Sequence, residues 1–151
     1  MKTHALMMLA LGLPLTADAA NEDAVKRDVE KLQGTWKLVS VETHGVKLHH
    51  SPASLKVKGE RLFWVSDAKG ARPIGTGQGF KIDPTTNPKA VDVESVEVRA
   101  TGQSTPIIVK GIYDLDGDTL KLCLNRTGER PKSFDTKKEK GNVVLNVYKR
   151  E

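Results

Sequence analysis

Three histidines, His44, His49 and His50, sit close together, and imidazole is the commonest protein ligand for metals. Their spacing matches neither a helical i, i+4 pair nor a zinc signature, so solvated loop histidines are the expectation. If a metal is held anywhere, these three are the ligands to choose, with Glu42 as a fourth. Asp114, Asp116 and Asp118 alternate around Gly117 with a spacing close to that of a calcium loop. The glycine stands at the fourth place rather than the sixth, however, and Asn125 occupies the twelfth, where glutamate is needed. An exposed hairpin explains these carboxylates better. Ser51 and Ser54 lie near the histidines but in no nucleophile-elbow pattern, so a hydrolytic triad has little to build on. No catalytic residue and no cofactor are expected. The lone Cys123 excludes an internal disulfide and any Cys-rich zinc module. It alternates with leucines in a strand-like stretch and reads as a shielded thiol packing as a small hydrophobe. Asn125-Arg126-Thr127 has the form of a glycosylation sequon.

The elements that would position these groups are mostly strands. Residues 21–33 form the one amphipathic helix, with Val25, Val29 and Leu32 on a single face, Asn21 as N-cap and Gly34 as the stop. Its narrow apolar stripe suits a lid over one end of a sheet better than a central core helix. Beyond Gly34, strands are predicted at 35–43, 54–57, 61–66, 79–83, 90–100, 106–115, 119–125 and 142–150, with a short one at 131–134. Asp116-Gly117 predicts a type I′ hairpin. Val91 and Val93 share one face while Val96 and Val98 share the other, which predicts a β-bulge near Glu94-Ser95. The Pro-bounded stretch 83–89 reads as a rigid connector at a barrel rim. The glycine-rich stretch 70–79 does not join a strand to a helix, so it reads as a flexible loop or bulged edge rather than a phosphate cradle. About eight short strands without intervening helices predict an all-β sandwich or barrel.

The first residues carry an address. Lys2 precedes a short apolar run, and Ala17-Asp18-Ala19 places small residues before a cut after Ala19. The expected organisation is a signal peptide over 1–19 and one domain over 20–151. Export to the periplasm or the extracellular space follows. The apolar run is too short to span a bilayer. The net charge is +5, but the basic residues are scattered among acidic ones and aromatics make up only 5% of the chain. A nucleic-acid partner is therefore not expected, since base stacking needs clustered exposed aromatics. Attraction to an anionic envelope polymer accounts for the charge more simply.

Gly34-Thr35-Trp36 opening the first strand, with a basic residue ending the last, is similar to the lipocalin-type barrel. That resemblance implies a bend at Gly34, Trp36 closing the barrel floor, and Arg150 (or else Lys149) stacking across the indole. A wider resemblance, carried by residues 32–40, 80–84, 87–92, 111–123, 129–131 and 147–150, is to a family of small exported proteins abundant in planctomycete bacteria. Its members are described as uncharacterised lipocalin-like domains. It implies the fold and the export, places Cys123 in a shared packing pattern, and supplies no activity.

The resulting expectation is a small antiparallel lipocalin-like β-barrel of about eight strands with a short N-terminal helix. Strands such as 107–109 and 143–145 are apolar on both faces, so one face must meet a core or a cavity. The expected function is non-catalytic binding of a small apolar ligand, lined by Leu38, Phe80, Ile107, Val109, Tyr113, Leu122 and Leu145. The alternative is a structural or protein-interaction module whose barrel is filled by its own side chains. A third reading is a metal-dependent or hydrolytic enzyme at the histidine loop.

Overall fold

A computed structural model describes residues 17–67 and 77–151. Residues 1–16 of the expected signal peptide and most of the glycine-rich stretch 70–79 lie outside the described residues. One helix, α1 (Ala17–Leu32), is followed by nine strands. They are β1 (Gly34–Thr43), β2 (Val46–Leu48), β3 (Ala53–Lys58), β4 (Arg61–Ser66), β5 (Gln78–Asp83), β6 (Lys89–Val98), β7 (Ser104–Asp116), β8 (Thr119–Asn125) and β9 (Val143–Arg150). All the pairings are antiparallel. The order β1-β3-β4-β5-β6-β7-β8-β9 closes through a β1–β9 ladder, giving an eight-stranded barrel with β2 attached outside on β1.

Alternation along each strand decides what lies inside. Leu55, Leu62, Phe80, Val91, Val93, Val109, Tyr113, Leu120, Leu122 and Tyr148 point inward and form the main core. The opposite faces of β7, β8 and β9 carry a second cluster, Ile112, Cys123 and Val143, packed against Phe134 and Leu145. Phe134 belongs to the irregular segment 126–142, which covers this outer patch. In 143–145 this outer core takes Val143 and Leu145 while Val144 faces the barrel interior; in 107–109 the outward Ile108 is exposed. The predicted strand at 131–134 is part of this cover and forms bends instead.

Asn125 organises the cover. Its side chain donates to the carbonyls of Glu129 (2.9 Å) and Lys140 (3.1 Å) and accepts from the Thr127 amide. Arg130 donates from the same segment to the carbonyls of Val91 and Gly111 and to the Asp92 carboxylate, each within 2.9 Å. Thr136, fully buried, donates to Glu42 and accepts from the Gly45 amide, tying the cover to the β1–β2 turn.

Three further local expectations are corrected. The helix starts at Ala17, so Asn21 lies inside its second turn rather than at the cap. The β6–β7 register runs unbroken from Lys89↔Tyr113 to Val98↔Ser104, with no bulge at Glu94-Ser95. Val96 and Val98 lie on the outer, exposed face of this hairpin, so no register change is needed to bury them. The irregularity instead lies in β1, between Leu38 and Ser40 against β9. The β7–β8 turn consists of Gly117 and Asp118, and only Gly117 has positive φ, which excludes type I′.

Candidate functional site

The two ends of the barrel differ. At one end α1 lies as a lid, and Gln33 fixes it to the β3–β4 turn. The Gln33 amide donates to the Gly59 carbonyl (3.0 Å) and accepts from the Gly59 N–H (2.7 Å). Gly34 has φ of 115°, a conformation L-residues rarely adopt, and this lets the chain turn from helix into β1. Trp36 is completely buried and donates its indole N–H to the Leu32 carbonyl at 2.8 Å. Trp36 and Arg150 are cross-strand neighbours, which places the guanidinium 4.0 Å from the ring centroid. The same guanidinium donates to the carbonyls of Gln33 (2.9 Å) and Lys31 (2.7 Å) at the helix C-terminus. One residue therefore stacks on the floor and satisfies carbonyls the helix leaves open. Lys149 is exposed.

Asp28 of α1 is the second anchor. Its Oδ2 accepts from the Lys89 ammonium and from the Tyr113 hydroxyl, each at 2.7 Å. Burial raises the pKa of this carboxyl, but the bonds from Lys89 and Tyr113 outweigh that and hold it below its ordinary 3.8. Burial, together with the neighbouring Asp28 carboxylate, pushes the Tyr113 hydroxyl upward, so it remains a donor. Lys89 ends the 83–89 connector, which therefore lies at the closed end beside the helix. Below this lid, Leu55, Phe80, Tyr113 and Leu122 leave a void of only about 20 Å³.

At the opposite end lies an open cavity of about 340 Å³. Trp64, Val93, Val109, Leu124 and Val144 form its apolar wall. Gln78, Ser95, Asn146 and Arg126 supply polar groups. These side chains come from β4 to β9 at inward positions, except Arg126, which follows β8 at the rim. Gln78 reaches the Ser95 hydroxyl at 3.4 Å. Burial pushes the phenol of Tyr148, beside Trp64, up to about 12. A second hollow, lined by Pro106, Ile107 and Gln78 among others, shares Arg126 with this cavity.

The predicted lining residues divide accordingly. Val109 lines the open cavity, and Ile107 lines the adjoining hollow. Phe80, Tyr113 and Leu122 fill the closed end, and Leu38 packs against the same core. Leu145 lies outside the barrel, beside Cys123, because it is one position out of phase with the inward Val144 and Asn146. Sequence reading missed Arg126, Asn146, Gln78 and Ser95. Their inward phase is readable from strand alternation, but a polar residue in a strand is first read as facing solvent.

The chemically suggestive clusters have other partners. His44 contacts the Thr43 hydroxyl at 3.1 Å, and His50 contacts the carbonyls of Ser51 and Val39. No group of His, Cys, Asp and Glu among the described residues could hold a metal. Asp114 pairs with Lys121 (3.7 Å) and Asp118 with Arg150 (3.5 Å). Cys123 is fully buried, and burial with help from Glu139 and Glu42 pushes its thiol up to about 12. No helix among the described residues is long and apolar enough to cross a membrane.

The molecule so defined is a closed antiparallel barrel, sealed by a helix at one end and hollow at the other. Comparison of the chain with protein-family models, curated proteins and solved structures finds no match.

Proposed function

We propose that this protein is an exported lipocalin-like binding protein whose open barrel end holds a small, largely apolar ligand without transforming it. The observation that carries this reading is the 340 Å³ cavity, with its apolar wall and four polar groups. Such a composition is typical of ligand sites, whose volumes run from about 300 to 1,000 Å³. The floor formed by Trp36 and Arg150 supports it by giving the barrel one mouth. Export rests on the character of residues 1–19, and the net charge of +5 suits an anionic envelope polymer as a surface partner.

The test is native mass spectrometry of protein purified from its host, beside Val144→Phe, which puts a ring into the cavity. A small-molecule adduct present in the native protein and absent from the variant is the expected result. Bare protein in both cases would overturn the reading. It would favour a filled barrel acting as an interaction module, a reading the nearly void-free closed half also suits.

A further inference from the structure

The cavity carries charge of one sign, while Glu94 lines the adjoining hollow that shares Arg126. Of its lining residues among those described, Arg126 alone is ionised, and no carboxylate lines the wall. Arg126 is exposed at the rim, and its guanidinium has no ion pair or hydrogen bond within the described residues. At the closed end Arg150 is engaged with Asp118 and two carbonyls, and Lys89 with Asp28. Arg130, on the outer cover, holds Asp92 and two carbonyls. Asn146, inside the cavity, likewise has a side-chain amide without a partner among the described residues.

Resting on the ligand-binding reading above, we propose that the ligand is an amphiphile with a single anionic head, its apolar tail against Val93, Val109 and Val144 and its head at Arg126. Guanidinium groups bind carboxylates through paired N–H donors. The apolar wall supplies the tail's driving force, which is proportional to the area buried. Size bears on the tail: at about 30 Å³ for each water-sized group, the cavity holds roughly eleven such groups, enough for a medium-chain acid.

The experiment is calorimetric titration of the native chain and Arg126→Gln with octanoate, 1-octanol and octylammonium, at low and high salt. Octanoate is expected to bind about tenfold more tightly than 1-octanol, the effect of one partly exposed charge-assisted bond. Arg126→Gln should erase that preference, and a circular dichroism spectrum and thermal melt matching the native chain's show that the variant is folded. High salt should weaken octanoate alone. Equal binding of octanoate and 1-octanol, or tighter octylammonium, overturns the head-group assignment while leaving the apolar site standing. Binding of none of the three overturns this assignment and the ligand-binding reading together.

Discussion

Removing the Tyr113 hydroxyl tests how the helix lid is held. Tyr113 is 2% exposed and donates to Asp28 Oδ2 at 2.7 Å, while Lys89 donates to the same oxygen. A hydrogen bond to a charged group contributes about 1.5–3 kcal/mol. In Tyr113→Phe the carboxylate keeps Lys89 and is not orphaned, so a loss near the lower end, about 1.5–2 kcal/mol, is expected. Urea unfolding followed by tryptophan emission measures it, since Trp36 sits directly under the lid. The pH dependence has a definite sign. Asp28 has a folded pKa depressed below 3.8, so its contribution is complete above that value and is lost as pH falls through the folded pKa. The gap between native protein and Tyr113→Phe should therefore be full at neutral pH and narrow below about pH 4. A double-mutant cycle with Asp28→Asn should return a coupling of comparable size. A stability change at neutral pH indistinguishable from zero, or a gap that widens in acid, would refute the account of the lid.

Arg150→Lys keeps the charge but loses the planar fork that reaches two helix carbonyls while covering Trp36. A loss of about 1 kcal/mol is expected, lowering Tm by about 4 °C in a thermal melt, and a melt unchanged from the native protein would contradict it. The Cys123 thiol, fully buried with its pKa pushed up to about 12, should not react with a disulfide reagent in the native protein and should react stoichiometrically in urea. Prompt native labelling would show that the cover over the outer core opens readily.

The parts of the fold that were legible were those governed by nearest-neighbour chemistry. β4 and β8 occupy the residues expected, 61–66 and 119–125, because each is an apolar stretch opened by a tight glycine turn, at Gly59 and Gly117. The closure by Trp36 and Arg150 is what the resemblance of Gly34-Thr35-Trp36 and the final basic residue to the lipocalin-type barrel implies. β2 went unseen because Val46, Lys47 and Leu48 are all exposed and carry no burial rhythm. The facing of Leu145 was misjudged because strand 143–145 is apolar on both sides. Only the fold of 126–142 onto the outer wall reveals which side meets which core. The same long-range contact hid the site, since Arg126 reads as a loop cation until β8 and β9 bring it to the mouth of the barrel.

The two-handed grip of Asn125 on its own loop has a consequence for biosynthesis. The nitrogen that would accept a sugar in Asn125-Arg126-Thr127 is the one donated to Glu129 and Lys140, in a residue only 4% exposed. Once folding is complete, an oligosaccharyltransferase finds that amide already occupied. A glycan attached earlier would keep the cover from seating, leaving Phe134 and the thiol beneath it bare to solvent. For material made in a eukaryotic secretory host, the glycoform would thus report which came first, the enzyme or the fold.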